Sequence, residues 1–418
     1  MWSLTTVERE IVEPTDLGDE VVHYSIPSVD STGTGQIEES DSIKSAKFRL
    51  SGGEVLISKL NPRKSRVVSV AASSLPIVSS TEFVGLRAGD ALDSRYLAYL
   101  LQSDFVRQDL DARVQSVTRS HQRVAPEDIT HLNVTVAPSA EQRHIADFLD
   151  AETGRIDRLV RAREAQIGLL GQRLAQLVDG IVAGELEVLD SIGARFDSDN
   201  WGHGKISRFC EVIPGYAFPS SAFVTDGSGI RLLRGINVGV GDLVWEDVVS
   251  WDAATYPVPE RFHLRAGDLV LGMDRPWISS GMRINLIDES NVPALLLQRV
   301  ACLRPKSPNI NIRFIHWVLR STQFRLGVES EMTGVSVPHL SGEQIGTFSF
   351  SLPTLDEQTR LAASLEHHAS STRRLQATMT RQVSLLVERR QALITAAVTG
   401  QFDVATVSGR NATDGVSA

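Results

Sequence analysis

Four stretches of this chain have the pattern of apolar and polar positions that is typical of β-strands. The runs GGEVLISKL (52–60) and GDLVLGM (267–273) are short, apolar and preceded by glycine, which predicts β-strands. LNVTVAP (132–138) and FSFSLP (348–353) alternate and end at proline, which is also typical of strands.

Longer segments between these strands follow a helical period. SRYLAYLLQSDFVRQDL (94–110) and IRFIHWVLRSTQFRLGV (312–328) have the apolar spacing of amphipathic helices. Together with the strands, they predict two α+β modules, one in each half of the chain.

After each module the pattern predicts one long helix. Ser139-x-x-Gln142 and Thr354-x-x-Glu357 fit capping boxes, and Gly184 and Gly400 are suitable stops. Apolar residues then recur with a heptad spacing, which polar residues interrupt at three positions: Arg163, Gln376 and Arg390. The first seam is Ile156, Val160, Arg163, Ile167, Leu170, Leu174, Leu177 and Ile181, and the second contains Met379, Val383, Leu386, Leu393 and Ala397.

The two halves are copies of each other. Glu141-Gln142 aligns with Glu357-Gln358, and the same shift of 216 positions holds without a gap to the end of both helices. Upstream, Gly53-Glu54 resembles Gly267-Asp268, although the modules have diverged more than the helices. The order is therefore module, helix, module, helix.

A helix with an apolar seam has to bury that seam, and its own duplicate is the simplest partner. The prediction is an antiparallel coiled coil with pseudo-two-fold symmetry that carries the modules at opposite ends. From 156 to 181 the helix is roughly 40 Å long, close to the ~34–36 Å turn of DNA that separates half-sites read on one face. The alternative is two separate helices, each packed on its own module.

Composition narrows the possible functions. The chain has 418 residues, no apolar run long enough to span a membrane and no signal-peptide pattern, which predicts a cytoplasmic protein. Its two cysteines, Cys210 and Cys302, are too few for a structural zinc site, and no metal site is expected. No P-loop, H-E-x-x-H or base-flipping tetrapeptide is present, so we expect no catalysis by this chain alone. The net charge of −9 argues against a protein that binds DNA by itself.

The duplicated P-x-x-E-Q helix starts, the two long helices and the Gly-Asp/Glu strands resemble the specificity subunit of type I restriction-modification enzymes. The resemblance covers roughly residues 1–404. It implies two target-recognition domains in tandem, each reading one half of an asymmetric bipartite site on double-stranded DNA, with the paired helices setting the spacer. It also implies docking of two methyltransferase subunits, which carry S-adenosylmethionine and methylate adenine, and of restriction subunits in some assemblies. Partner chains would then supply much of the positive charge.

The resemblance and the repeat together give predicted domain boundaries. These are 1–138 and 201–353 for the recognition domains, 139–188 and 354–404 for the helical regions, 189–200 for a linker and 405–418 for a disordered tail.

The candidate DNA-contacting residues lie on loops, because base contacts need Arg, Lys, Asn, Gln or small hydroxyl side chains and phosphate contacts need Arg, Lys, Ser or Thr. In the first module they are Lys59, Asn61, Arg63, Lys64, Arg66, Thr118, Arg119, His121 and Arg123. In the second module they are Arg275, Ser279, Ser280, Thr333, Ser336 and His339. Each of these residues has the alternative of being a solvated surface group.

Two other functions stay open at this point. The acidic charge suits a coiled-coil scaffold whose duplicated modules bind proteins. A methyltransferase with an unrecognised site would bind S-adenosylmethionine as the isolated chain.

Overall fold

The computed structural model forms two compact units. Unit 1 comprises residues 1–165 and 379–418, and unit 2 comprises residues 166–378. The structure describes residues 1–8, 10–114, 122–185, 188, 196, 198–329, 338–401 and 404. Both unit boundaries divide a long helix, whereas the predicted domain boundaries separate modules from helices. Those predicted boundaries stay a prediction, and the predicted tail lies outside the described residues.

Unit 1 begins with the first module. Its strands are β1 (Thr5–Glu8), β2 (Ile11–Val12), β3 (Glu20–Tyr24), β4 (Gln36–Glu39), β5 (Lys47–Leu50), β6 (Val55–Ser58), β7 (Val67–Ser69), β8 (Ile77–Ser79) and β9 (Phe83–Ala88). Its helices are α1 (Ile26–Thr32), α2 (Ser94–Gln102), α3 (Asp104–Ala112) and α4 (Pro126–Thr130), and the long central helix α5 (Ser139–Ala183) follows.

Unit 2 contains the second module. Its strands are β10 (Gly202–Lys205), β11 (Cys210–Pro214), β12 (Ile230–Leu233), β13 (Ser250–Trp251), β14 (Leu269–Gly272), β15 (Trp277–Ile278), β16 (Gly281–Met282), β17 (Ile284–Leu286), β18 (Ala294–Leu296), β19 (Val300–Pro305) and β20 (Ser349–Leu352). Its helices are α6 (Ile206–Phe209), α7 (Ile312–Arg320), α8 (Thr322–Glu329) and α9 (Gly342–Thr347), and the long C-terminal helix α10 (Leu355–Val398) follows.

The principal sheets of the two modules have matching topology. An antiparallel sheet has the order β1-β9-β6-β7 in the first module and β11-β19-β14-β17 in the second. A second sheet in each module contains one parallel pair, β3 with β8 and β12 with β18. The predicted strands after the glycines are β6 and β14, which confirms that part of the pattern reading. Divergence of sequence has therefore left the strand order of the principal sheet unchanged.

The acidic residue before each of these strands has a structural role. Glu54 is fully buried and accepts hydrogen bonds from the amides of Ser51 (3.0 Å) and Gly52 (2.9 Å) and from the guanidinium of Arg87 on β9. In the second module, Asp268 pairs with Arg304 on β19 (2.7 Å). A buried carboxylate needs such partners. The acidic residue after the glycine therefore forms an ion pair with an arginine on the neighbouring strand of the sheet.

A serine interrupts each predicted amphipathic helix. Ser103 separates α2 from α3, and its extended backbone (ψ 150°) ends the first helix and caps the second. Its Oγ donates to the carbonyl of Leu100 (2.7 Å) and accepts from the amide of Val106 (3.4 Å). Ser321 does the same between α7 and α8. The prediction of single helices was wrong here because a one-residue break preserves the apolar spacing.

Two glutamines fasten the starts of the long helices to their modules. Buried Gln142 accepts from the amide of Asp93 (2.8 Å) and donates to the carbonyls of Ala91 (3.1 Å) and Ala137 (2.7 Å). Gln358 makes the equivalent three bonds to Asn311, Asn309 and Pro353. Each glutamine thus bridges the loop that caps α2 or α7 and the chain that leads into the long helix.

The capping predictions had different outcomes. Thr354 and Glu357 form the predicted box, with the Thr354 amide 2.9 Å from the Glu357 carboxylate and the Glu357 amide 3.4 Å from the threonine oxygen. The box of Ser139 with Gln142 is absent, because Ser139 is already helical and Gln142 is committed to the module. Gly184 (φ 78°) and Gly400 (φ 69°) follow the helix ends in the left-handed conformation, as expected.

Each module packs against the start of one long helix and the end of the other. The core of unit 1 contains Ile145, Ala146, Leu149, Leu393, Ile394, Ala397 and Val398. The core of unit 2 contains Leu361, Ala362, Leu365, Val178, Ile181 and Val182, with Leu177 packed against it, at the same positions after a shift of 216. Polar contacts repeat too, since Thr395 accepts from the amide of Asp104 (2.9 Å) and Asp179 accepts from that of Thr322 (2.7 Å).

Exposure along both helices follows the predicted seams. Between residues 157 and 177, and again between 373 and 390, the seam positions are half-buried while nearly all the others are exposed. The polar residues in the seams have partners. Gln376 donates to the carbonyl of Ile167 in unit 2 (3.1 Å), and Arg390 donates to Asp157 in unit 1 (2.9 Å).

One predicted strand is absent. FSFSLP forms β20, which pairs with β10, but LNVTVAP has no strand conformation. Among the described residues, no strand lies beside Asn133–Val136 in unit 1, and an alternating sequence without a hydrogen-bonding neighbour is not a strand.

Replacement of Gln142 or Gln358, the two glutamines that fasten the long helices to their modules, should destabilise the unit that contains it. In Gln142→Ala, two carbonyls and one amide lose their partner, and we expect a loss of about 2–3 kcal/mol in the free energy of unfolding. Gln358→Ala should behave alike. Urea denaturation followed by circular dichroism measures the loss. Gln172→Ala, at an exposed position of the central helix, is the control. Equal stability of all three variants would contradict a stabilising role of Gln142 and Gln358.

Candidate nucleic-acid interface

The basic loop of the first module lies beside a segment more than 50 residues away in sequence. After β6, the amide of Asn61 donates to the carbonyl of Gln122 (2.7 Å), and the amide of Val124 donates to that of Lys59 (3.1 Å). The amide of Lys59 in turn donates to the carbonyl of Glu82, just before β9 (2.8 Å). We call residues 59–61, 82 and 122–124 cluster 1.

The second module has the same arrangement after β14. The amide of Arg275 donates to the carbonyl of Pro338 (2.9 Å), and the amide of Leu340 donates to that of Met273 (2.9 Å). The amide of Met273 donates to the carbonyl of Arg299, just before β19 (2.9 Å). Residues 273–275, 299 and 338–340 form cluster 2, which has the same three bonds as cluster 1.

Backbone strain concentrates at these loops. Asn61 (φ 52°) and Arg275 (φ 45°) occupy equivalent positions, each followed by proline. Among the described residues, the other non-glycine positions with positive φ are Ser65 (45°) and Arg299 (69°), in or next to the same clusters. Because such conformations cost energy, they persist where the surroundings impose them, and they are frequent at functional sites.

The side chains on this shared framework differ in charge. In cluster 1, Arg123 forms a two-pronged ion pair with Glu82, with N–O distances of 2.9 and 3.1 Å. In cluster 2, Asp274 accepts from Nδ1 of His339 (2.7 Å) and from the guanidinium of Arg299. Equivalent backbone sites therefore carry Glu82 in one module and Arg299 in the other.

The Asp274 carboxyl group is held in its ionised form. Burial acts to raise the pKa of Asp274, but the hydrogen bonds and charges of Arg299 and His339 outweigh it, so the pKa lies below its ordinary value. The carboxylate consequently orients the side chains of Arg299 and His339 at the surface of the loop.

Several predicted residues present their side chains to solvent near the clusters. Arg63 and Lys64 are exposed on the short helical turn Pro62–Lys64, and Lys59 and Asn61 are half-buried. Arg275 is exposed at the equivalent turn of the second module. Ser279 and Ser280 are exposed in the tight turn between β15 and β16. All three turns thus present donors of the kinds that nucleic-acid contacts require.

Arg66 has to be removed from the predicted contacts. It is 9% exposed, and its guanidinium donates to Asp30 (2.8 Å) and to the carbonyl of Leu60 (3.1 Å). The hydrogen bond from Arg66 lowers the pKa of Asp30. This arginine fastens α1 to the loop, and its burial keeps it away from DNA.

Five predicted contacts fall in parts of the chain that lie outside the described residues. They are Thr118, Arg119, His121, Thr333 and Ser336.

Two charged members of the clusters were missed by sequence reasoning. Glu82 and Arg299 each come directly before the strand that pairs with β6 or β14. Little in the sequence indicated them, because Glu82 and Arg299 match each other only after β9 has been aligned with β19. Sheet pairing places both residues beside loops that lie 20 or more positions away in sequence.

The described residues contain no group of three or more His, Cys, Asp or Glu side chains that could hold a metal ion, and no helix long and apolar enough to cross a membrane. Cys210 and Cys302 are buried, and burial raises the pKa of the Cys210 thiol to about 12 and that of Cys302 well above its ordinary value. Neither thiol is in the reactive thiolate form at neutral pH.

These features define a class of protein: two α+β modules with a shared loop framework and different loop side chains, each joined to a long helix. The fold is that of solved type I restriction-modification proteins. One chain from a study of assembly and conformational transition in a type I R-M system has a TM-score of 0.74 at 18% identity, covering 96% of both chains. The HsdS subunit from Thermoanaerobacter tengcongensis has a TM-score of 0.51 at 19% identity, again with 96% of both chains covered.

Sequence relatives point the same way. The type I restriction enzyme EcoAI specificity subunit of Escherichia coli is 30% identical over 168 residues, which cover 40% of this chain and 28% of that protein. The MjaVIII specificity subunit of Methanocaldococcus jannaschii is 25% identical over 295 residues, covering 69% and 67%. The EcoBI specificity subunit of Escherichia coli is 27% identical over 207 residues, covering 49% and 40%. No family model matches. The chain is similar to type I restriction enzyme specificity subunits, which confirms the resemblance drawn from its motifs.

Lys64 and Arg66 lie two residues apart and should respond oppositely to replacement. Lys64→Met should weaken binding of any duplex and lower the slope of log affinity against log salt by about one, as expected for one lost phosphate contact. Arg66→Met should instead lower stability with little effect on binding by the folded fraction. Anisotropy with a labelled duplex at several salt concentrations, alongside urea denaturation, separates the two effects.

The Arg66 effect should also depend on pH. Because the pKa of Asp30 is depressed in the folded state, the ion pair stabilises at neutral pH and its contribution disappears as pH falls through that pKa. Wild type and Arg66→Met should therefore become more alike in acid. A stability difference that grows on acidification would refute this account of Arg66.

Proposed function

We propose that this chain is the non-catalytic DNA sequence-specificity subunit of a type I restriction-modification complex and that it reads a bipartite, asymmetric site. The observation that carries the proposal is the pair of clusters, which have the same three backbone hydrogen bonds but different side chains. Protein–DNA interfaces separate in the same way into groups that fix position and side chains that read bases.

The chemistry of the clusters supports two unlike half-sites. Cluster 1 presents Asn61 and the Arg123–Glu82 pair, and cluster 2 presents Arg275 and the His339–Asp274–Arg299 group. Asn favours adenine and Arg favours guanine in the major groove, so the modules would prefer different bases.

Local charge would allow DNA binding by a chain of net charge −9. Exposed cations lie in or beside the clusters at Arg63, Lys64 and Arg275, while Arg66 and Arg299 are paired with Asp30 and Asp274. The remaining phosphate contacts would come from partner subunits. The protein-binding scaffold, the first alternative, gains no support from the relatives, which are all named as restriction enzyme specificity subunits.

The long helices would form an antiparallel coiled coil that joins two tandem recognition domains with pseudo-two-fold symmetry. Contacts inside each unit support this arrangement. In unit 1, Asp157 of the central helix bonds Arg390, while residues nearer that helix's start share a core with Leu393–Val398. In unit 2, Ile167 bonds Gln376, and Ile181 shares a core with Leu361. Partner numbers fall as residue numbers rise, as antiparallel helices require.

Two methyltransferase subunits would dock on these helices. Leu159 and Leu375 are 46% and 50% exposed, and Leu169 and Leu385 are 63% and 53% exposed. Each pair is separated by 216 positions, so both copies of the helix keep the same large apolar side chains in solvent, a feature of interaction surfaces. One surface in two copies fits two copies of one methyltransferase partner. That partner would carry S-adenosylmethionine, and the complex would act in the cytoplasm. Restriction subunits would join it in assemblies that cleave DNA.

The test is selection of bound sequences from a random duplex library by the chain with its methyltransferase. We expect a motif of two unlike halves separated by a fixed gap. Asn61→Gly and Arg275→Gly remove equivalent side chains while keeping a residue that tolerates positive φ. Each should relax one half of the motif, by about 1–3 kcal/mol at the affected base, and leave the other half unchanged.

A motif without a gap, or one whose same half changes in both variants, would exclude the bipartite reading. Binding of S-adenosylmethionine by the isolated chain would instead identify a methyltransferase.

The leucine pairs predict the docking surface. Leu169→Asp should remove one methyltransferase subunit from the assembly, Leu385→Asp should remove the other, and the double variant should bind none, because a charge cannot be buried in an apolar interface without a partner. Native mass spectrometry or sedimentation gives the subunit count. Gln172→Asp, also exposed on the central helix, is the control. Full assembly of the double variant would exclude this surface.

A further inference from the structure

Each cluster has an arginine beside it, directly before the next strand of the principal sheet. Arg66 precedes β7 and Arg283 precedes β17, and the main-chain carbonyl of each accepts a hydrogen bond (3.0 Å) from the last residue of β6 or β14. Their side chains are also equivalent. Nη1 of Arg66 donates to the carbonyl of Leu60 (3.1 Å), and Nη1 of Arg283 donates to that of Asp274 (3.0 Å). Each arginine therefore supports the middle residue of the loop in its cluster.

The two arginines differ in their other partner. Arg66 pairs with the Asp30 carboxylate of α1 (2.8 Å). Nε of Arg283 donates instead to the carbonyl of Val238 (2.9 Å), and none of the described residues forms an ion pair with Arg283. Val238 lies in a hairpin formed by residues 237–244. Arg283 thus connects cluster 2 to this hairpin through two main-chain carbonyls.

The hairpin is itself held in place. The buried side chain of Asn237 donates to two main-chain carbonyls, 2.9 and 3.1 Å away, one of them across the hairpin. Asn285 lies two residues after Arg283, on the same face of β17, and donates to the carbonyl of Gly239 (3.0 Å). The guanidinium of Arg283 therefore has a fixed anchor on the side away from cluster 2.

Cluster 1 has a second support that cluster 2 lacks. The Oγ atom of Ser58, at the end of β6, donates to the carbonyl of Leu60 (3.2 Å) and accepts from its amide (3.1 Å). Gly272 has the equivalent place at the end of β14, where an added Cβ would lie 3.3 Å from Cζ of Arg283. Among the described residues, Arg283 is consequently the one side chain that bonds the main chain of Asp274.

We propose that Arg283 is a positioning residue for the second half-site, because it fixes Asp274 relative to the hairpin. Asp274 accepts from His339 (2.7 Å) and from Arg299, so a movement of its main chain is passed to both side chains. Leu60, which has the matching bridge in cluster 1, orients no such group. This inference rests on the proposed reading of a bipartite site and concerns its second half.

Hydrogen exchange of the full chain tests the support without DNA. Arg283→Lys keeps the charge, but an ammonium lacks the planar fork that bonds two carbonyls. We expect the amides of residues 273–275 to exchange about tenfold faster than in the wild type, because their local structure opens more often, and those of residues 59–61 to stay unchanged. Unchanged exchange at residues 273–275 would overturn the positioning role.

Competition binding by the chain with its methyltransferase tests the consequence for reading. The competing duplexes carry the motif selected by the wild type or single-base changes in one half. Arg283→Met and Arg283→Lys should each lower discrimination in the second half by about tenfold and leave the first half unchanged. Arg66→Met is the matched control and should leave discrimination in the first half largely intact, because Ser58 still holds Leu60.

A serine at position 272 provides a rescue. Gly272→Ser combined with Arg283→Met gives cluster 2 the support that Ser58 gives cluster 1 and should restore most of the discrimination. Weaker binding of all duplexes with unchanged discrimination would identify Arg283 as a phosphate contact, and full discrimination by Arg283→Lys would show that charge alone suffices. Either result overturns the proposal. A wild-type motif without two halves would refute the proposed function, whereas the exchange measurement would still decide whether Arg283 supports cluster 2.

Discussion

The attachment of each long helix to its module by a buried amide side chain is the constraint on which the rest of the architecture depends. Gln142 and Gln358 each bond one amide and two carbonyls of the chain around the helix start. A glutamine is suited to this role because one side chain carries both donor and acceptor. The direction in which the helix leaves the module is thereby fixed, and so is the register of the seam that follows.

Backbone hydrogen bonds explain why the side chains of the loops can vary without loss of the fold. The clusters are held by main-chain hydrogen bonds and by sheet pairing of β6 with β9 and of β14 with β19. Main-chain bonds do not depend on residue type, so Glu82 and Arg299 occupy the same site with opposite charge. The backbone of the two clusters can therefore stay the same while their side chains differ.

The sequence allowed prediction of the features that depend on spacing. The seams, the duplicated helices and the strands β6 and β14 follow from apolar periodicity, which local geometry imposes. The break at Ser103 could not be foreseen, because it leaves that periodicity unchanged. Arg66 was misjudged because its partner, Asp30, lies 36 positions upstream, and sequence reveals a residue's type but not its partner. Arg299 was missed for the same reason, since sheet pairing brings it beside Asp274.

At the matched positions of the clusters and of the helix starts, the two copies differ in charge. Buried apolar positions at the helix ends repeat after 216 residues, as do the bonds of the clamping glutamines. By contrast, Asp147 becomes Ala363 and Glu82 becomes Arg299. Loss of a buried bond costs several times more than the exchange of an exposed ion pair, which contributes at most about 1 kcal/mol. A duplicated chain can therefore change what it binds at exposed ion pairs long before it can change how it packs, and the two units differ where that argument allows.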